Sequence, residues 1–231
     1  HPRGQRVEVA VVIEDNIKYQ NYNKIKILQI SDLHIKRYQK IYNEVADLVN
    51  NIKPDIILIT GDSVDKNNYL KLLDRFLGNI DKNINKFAIL GNHEYRGKVN
   101  LSNLENIYNK NNVKLLINQL AKIKVADNRE INIYGLDDKN PDLKYFIHEK
   151  EMINLILVHC PVFFDDISDK YNSDNILVFS GHTHGGQINL FDKTLLLPDR
   201  CGTYLNGKYN KGKNVLYVSK GIGTTFLDVR Y

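Results

Sequence analysis

Cysteine is scarce in this 231-residue chain: Cys160 and Cys201 are the only two, and they form no Cys-x-x-Cys pair. A disulfide framework is therefore excluded, and nothing in the spacing supports even a single bridge. Long apolar runs are missing too, since none approaches the roughly 18 residues that a membrane-spanning helix requires. The segment reads as soluble, although it opens on His1 rather than methionine, which leaves room for an upstream signal or membrane anchor. Internal repeats and low-complexity linkers are absent, and chains usually split into separate cores only beyond roughly 250 to 300 residues. A single domain over 1–231 is expected. Two nucleotide-binding signatures also fail. Gly202 to Tyr209 has the glycine and lysine spacing of a phosphate-binding loop, but Tyr209 stands where Ser or Thr is needed. Gly221-Ile222-Gly223 lacks the third glycine of a dinucleotide fingerprint and reads as a turn.

What the chain does have is an ordinary globular composition, 42% hydrophobic and 26% charged, enough to build a sizeable core. Its net charge is +5, with a pI of about 8.9, a balance that would suit a nucleic acid or an anionic surface. The basic residues are spread along the chain, however, and read as a solvated lysine surface. Tyrosines interleaved with lysines between Asn206 and Asn214 keep a nuclease in view as an alternative. No basic arm or added recognition domain supports it, so nucleic acid is not the expected partner.

Hydrophobic periodicity gives the order of elements. Strands are expected at Val7 to Ile13, Lys24 to Ile30, Ile56 to Thr60 and Phe87 to Leu90. Ile41, Val45, Leu48, Val49 and Ile52 share one helical face, closed by Pro54. Leu70, Leu72, Leu73, Phe76 and Leu77 mark a second helix, with Gly78 as its C-terminal cap. Ser102 and Glu105 match a capping box ahead of Ile107 and Tyr108. Short strands follow at Val113 to Ile117, Ile123 to Ala126, Ile131 to Tyr134, Leu155 to Val158, Ile176 to Phe179, Gln187 to Leu190 and Val215 to Val218. This is an α/β pattern in the first half and a strand-rich one in the second, which two stacked sheets with helices outside would accommodate.

Five polar clusters each follow directly after an apolar strand, at the carboxyl edge where open α/β sheets collect ligands. They are Asp32-Leu33-His34, Gly61-Asp62-Ser63-Val64-Asp65, Gly91-Asn92-His93-Glu94, His159, and Gly181-His182-Thr183-His184. Taken singly, most have a plain reading: a loop carboxylate, a turn, a satisfied histidine. The glycine-flanked histidine pair is different, because two imidazoles in a glycine-rich loop serve poorly as core. Carboxylate, imidazole and amide oxygen together suit Mn, Fe or Zn better than an all-sulfur structural site. A carboxylate between two such cations can bridge them, and pairs roughly 3.5 to 4 Å apart activate water and clamp a phosphoryl group.

From about Ile25 to Arg230 these motifs resemble the calcineurin-like metallophosphoesterase superfamily. Gly185-Gly186-Gln187, the Gly202-Thr203-Tyr204 and Gly207-Lys208-Tyr209 repeat, and Leu216 to Gly223 resemble its bacterial branch of secreted or membrane-anchored phosphodiesterases. Some members of that branch hydrolyse UDP-diacylglucosamine. The resemblance implies a four-layer α/β/β/α sandwich of two packed mixed β-sheets flanked by helices. It also implies two divalent ions (Mn, Zn or Fe), one held by Asp32, His34, Asp62 and His184, the other by Asp62, Asn92, His159 and His182. Asp62 would bridge. His93 would be the general acid or a donor to the phosphate, and Asp65 would orient it. The implied reaction is in-line attack of a metal-bound hydroxide on a phosphodiester or pyrophosphate, in a small, nucleotide-derived or lipid-linked substrate. The implied setting is a monomer, membrane-associated or extracytoplasmic, with a cytoplasmic location as the alternative. A non-catalytic scaffold is the reading from another class, and it would require lost ligands, of which none is missing. Three positions depart from the pattern. Glu94 replaces the more usual Asp, Cys160 follows His159 where an acidic or polar residue is common, and the chain stops at Tyr231 where relatives continue into a strand. Glu94 and Cys160 are expected to alter substrate contacts rather than metal binding.

Overall fold

The computed structural model describes residues 10–13, 25–125, 128–149, 152–172, 174–186, 189–190, 193–194 and 199–223. In chain order the elements are β1 (Ala10–Ile13), β2 (Lys26–Ile30), α1 (Lys40–Ile52), β3 (Ile56–Thr60), α2 (Leu70–Gly78), β4 (Asn85–Ile89), α3 (Asn92–Arg96), α4 (Leu101–Lys110), β5 (Val113–Leu115), β6 (Gln119–Lys124) and β7 (Glu130–Gly135). They continue with β8 (Ile153–Leu157), α5 (Phe163–Lys170), β9 (Ile176–Ser180), β10 (Asn189–Leu190), β11 (Lys193–Thr194), β12 (Gly207–Lys211) and β13 (Asn214–Val218). One sheet has the order β1-β2-β3-β4-β5 and the other β12-β13-β9-β8-β7-β6, while β10 and β11 form a two-stranded ladder. Within each large sheet the central strands run parallel, and antiparallel partners sit at the edges.

The period-two alternation of buried strands builds the layers. In β3, Ile56 and Leu58 join Phe87, Ile89, Ile131, Ile133, Leu155, Leu157 and Phe179 in the core between the sheets. Ile57 and Ile59 face the other way, into a core shared with Val45 and Val49 of α1, Leu73 and Phe76 of α2, and Leu104 and Tyr108 of α4. Ile156, Val178 and Leu216 cover the outer face of the second sheet with Phe164 and Ile167 of α5. The expected four-layer α/β/β/α arrangement is what these three cores make. The central strands are mostly apolar on both faces, as a parallel sheet covered on both sides requires, with Gln29, Lys86 and Asn154 among the buried polar exceptions.

Local details differ from the sequence reading. The cap of α4 is Asn100, whose side chain accepts from the Asn103 N–H, so Ser102 and Glu105 lie inside the helix and form no capping box. Gly78 is the last residue of α2 rather than a left-handed cap, and Asn79 closes that helix in a right-handed conformation. The strand expected from Ile123 runs instead from Gln119, while α3, α5 and β12 had no strong apolar signature to announce them. Residues Val7 to Val9, Ala126, Gln187, His1 and the stretch to Tyr231 lie outside the described residues, and with them the expectations placed there.

Candidate metal centre

The connections β2–α1, β3–α2, β4–α3, β8–α5 and the turn after β9 all leave the carboxyl ends of parallel strands. Seven of the nine residues selected by motif sit on these connections, the other two, Asn92 and His93, open α3, and the fold brings all nine together. Three groups of ligand atoms lie within 4.8 Å of one another: Asp32 with His34 and His184, Asp32 with Asp62 and His159, and His34 with Asp65 and His93.

The separations sort the residues into two sets. His34 Nε2 lies 3.2 Å from His184 Nε2 and 3.5 Å from Asp62 Oδ2; His184 Nε2 lies 3.4 Å from Asp32 Oδ1. On the other side His159 Nε2 lies 3.3 Å from the same Asp62 Oδ2 and 3.0 Å from Asn92 Oδ1, which is 3.1 Å from His182 Nδ1. Asp62 Oδ2 thus stands between the two sets. The third group is different: Asp65 Oδ1 lies 2.7 Å from His34 Nδ1 and 3.0 Å from His93 Nδ1, a carboxylate oxygen accepting from two imidazoles.

Hydrogen bonds fix which ring nitrogen faces inward. His159 Nδ1 donates to the Thr60 carbonyl at 2.8 Å, and His182 Nε2 donates to the Asp199 carbonyl at 2.6 Å. Since carbonyls only accept, each ring commits that nitrogen outward, and the opposite nitrogen is the one turned toward Asn92 and Asp62. Asp65 does the same for His34. Burial opposes charge on His159, but Asp62 overrides it and pushes the imidazole up to about 10. Burial would raise Asp62 as well, yet His159 and His34 hold its carboxyl well below the usual carboxylate range. Asp65 is likewise held low against its own burial by the bonds from His34 and His93.

The backbone carries strain at the same points. Asp32, His34, Asp62, His182 and His184 all have positive φ, between 42° and 71°, a region that non-glycine residues rarely adopt and that costs about 1 kcal/mol or more each. Neighbouring glycines give these loops room. A Cβ at Gly91 would stand 2.2 Å from Asp62 Oδ1, and one at Gly181 would stand 2.3 Å from Asp32 Oδ2.

Residues 25–186 match the family model described as calcineurin-like phosphoesterase. The chain belongs to that family. It is a metal-dependent phosphoesterase. Among its relatives is the uncharacterized metallophosphoesterase YkuE of Bacillus subtilis, 29% identical over 95% of this chain and 79% of that protein. Another is the UDP-2,3-diacylglucosamine pyrophosphatase LpxG of Chlamydia muridarum, 26% identical over 89% of this chain and 80% of that one. The phosphopantetheinyl hydrolase PptH of Mycobacterium tuberculosis shares the fold, with a TM-score of 0.52 at 9% identity, covering 84% of this chain and 89% of that one.

In this phosphoesterase the two departures near the candidate ligands do not reach the surface. Glu94 is 1% exposed, and its carboxylate accepts from the backbone N–H groups of Asp62, Ser63, Val64 and Gly91 at 2.6 to 3.1 Å. Burial, then the nearby Asp62, pushes it up to about 7. It clamps the Asp62 loop to the start of α3 and contacts no substrate space. Cys160 is fully buried and donates its thiol to Asp138 Oδ1, so it too cannot touch a substrate. Asp138 carries no signal in the sequence. It stands three residues beyond Gly135 at the end of β7, with no histidine beside it, yet it also pairs with Arg200 at 3.1 Å, tying down the loop whose Asp199 carbonyl holds His182.

Proposed function

We propose that this phosphoesterase hydrolyses phosphodiester or pyrophosphate bonds in a small, nucleotide-derived or lipid-linked substrate, using two divalent ions, with the whole of 1–231 acting as one catalytic domain. The observation that carries this is the position of Asp62 Oδ2, 3.5 Å from His34 Nε2 and 3.3 Å from His159 Nε2, where one oxygen serves both sets.

The donor chemistry fits the ions. With Nδ1 of His34 committed to Asp65, its Nε2 lone pair faces His184 Nε2 and two carboxylates, an arrangement of acceptors that a shared cation or proton must hold together. Asp32, His34, Asp62 and His184 would hold one ion, and Asp62, Asn92, His159 and His182 the other, Mn, Zn or Fe in keeping with oxygen and nitrogen donors. Such a pair supplies Lewis acidity and a clamp on the phosphoryl oxygens. His93 is half-buried at the edge of this cluster, its ring edge-on to His34 at 4.6 Å. With Nδ1 held by Asp65, Nε2 is the nitrogen left to meet a substrate and protonate the leaving oxygen. The name of the LpxG relative supports a pyrophosphate in a lipid-linked substrate, which would place the enzyme at a membrane surface. No helix among the described residues is long and apolar enough to cross one.

The test is turnover of a chromogenic phosphodiester by protein reconstituted with Mn, Zn or Fe in turn. His93→Ala should lower kcat by about 10²- to 10⁴-fold while metal content, measured by elemental analysis, stays the same. Unchanged kcat in that variant would mean that His93 does not protonate the leaving oxygen, and wild-type protein inert toward every phosphodiester and pyrophosphate offered would remove the function itself.

A further inference from the structure

Beneath the centre, in the otherwise apolar layer between the sheets, lies a buried chain of polar side chains. Gln29 of β2 is 2% exposed; Ser31, Thr60 and Ser180 are fully buried. Gln29 Nε2 donates to Thr60 Oγ1 at 3.0 Å and to the Ser180 carbonyl at 2.8 Å. Thr60 Oγ1 is 2.7 Å from Ser31 Oγ, and Ser31 Oγ is 2.6 Å from Asp32 Oδ2.

The direction of this chain is forced from both ends. The Ser180 carbonyl can only accept, so the amide nitrogen of Gln29 must point there and toward Thr60. At the other end the Asp32 carboxylate can only accept, so Ser31 must donate to it. Ser31 must then accept from Thr60, and Thr60 from Gln29. Each hydroxyl has one orientation, and Oδ2 of Asp32 is occupied by the serine while Oδ1 faces His184. The His182 N–H, at 3.1 and 3.2 Å from the two oxygens, braces the same carboxylate. The Thr60 carbonyl meanwhile holds His159 Nδ1. One residue therefore touches the support of both ligand sets.

Packing does not account for this arrangement. Gln29 Oε1 is buried with no hydrogen-bond partner among the described residues, a standing penalty that an aliphatic side chain would remove. A polar group kept at such a cost in a sheet interface points to the amide's directional role.

We propose that Gln29, Thr60 and Ser31 form a positioning relay that sets the rotation of the Asp32 carboxylate, and so the affinity of the ion held by Asp32, His34, Asp62 and His184. The relay rests on the two-ion reading of the centre. Supporting hydrogen bonds of this kind commonly change metal affinity by about 10- to 100-fold when removed. The experiment is calorimetric titration of Mn²⁺ into metal-free full chain, for wild type, Thr60→Val, Thr60→Ser, Ser31→Ala and Gln29→Met, with the thermal midpoint of each metal-free variant recorded beside it. Thr60→Val keeps the shape and loses the hydroxyl, while Thr60→Ser keeps the hydroxyl. Thr60→Val and Ser31→Ala should weaken one of two binding steps by about 10- to 100-fold, leave the other step near wild type, and Thr60→Ser should restore it. Gln29→Met should weaken the same step while leaving the metal-free midpoint equal to or above wild type. If Thr60→Val binds both ions as wild type does, or loses both equally along with its thermal midpoint, the relay is overturned. Wild-type protein that binds no Mn²⁺ would instead overturn the two-ion reading.

Discussion

Asp32, His34, Asp62, Asn92, His159, His182 and His184 lie in polar clusters that each follow directly after an apolar strand, and it is the recurrence of those clusters, not any one of them, that picks them out. Glu94 sits in the same motif, but its task depends on backbone amides some 30 positions away, and no local pattern encodes that. Its four contacts make a sharp prediction. Glu94→Gln replaces an accepting oxygen by an NH2 group that faces N–H donors, leaving at least one buried donor unpaired, at about 1 to 3 kcal/mol. The urea midpoint of the variant should fall accordingly, with the slope unchanged. A midpoint equal to wild type would mean that the Asp62 loop does not depend on the clamp.

Elements were legible where both faces of a strand are buried and obscure where one is wet. Strands β2, β3, β4, β8 and β9 read as near-continuous apolar runs, and all five were found within two residues of their ends. Strand β12, Gly-Lys-Tyr-Asn-Lys, is an edge strand with mostly exposed residues, and its composition looks like a loop. Strand β4 holds one exception to its own pattern. Lys86 lies on the helix-facing side with Ala88, is 2% exposed, and donates to the Asp81 and Ile84 carbonyls. Burial, opposed in part by Asp81, pushes its pKa down from 10.5 to about 8. Between those values the unfolded chain binds a proton that the folded chain has released, so folding stability must rise with pH through that window, by at most about 3 kcal/mol. Unfolding free energies of wild type and Lys86→Met at pH 8 and pH 10 isolate the effect. The wild type should gain on the variant as pH increases; a constant or shrinking difference would show that Lys86 keeps its charge in the fold.

Across the whole molecule, the order of strands and the convergence of five loops follow from parallel pairing, since parallel strands all end on one side. What the sequence could not show is that five of the residues meeting there sit in left-handed backbone, since such φ values are uncommon for any non-glycine residue. The left-handed backbone at these five residues opposes folding, and cations bound at the centre would offset that cost. Each ion present at a hundred times its dissociation constant adds about 2.7 kcal/mol to the folded state, and a chain of this size shifts its thermal midpoint by roughly 2 to 4 °C per kcal/mol. Removing both ions with a chelator should therefore lower the midpoint by about 10 to 20 °C, and adding back Mn or Zn should restore it in a concentration-dependent way. Asp62→Asn, which weakens the oxygen shared by both sets, should abolish most of that recovery while changing the chelated midpoint far less. A wild-type midpoint indifferent to chelation would mean that the loops hold their geometry without cations, and that the strain is balanced by the protein alone.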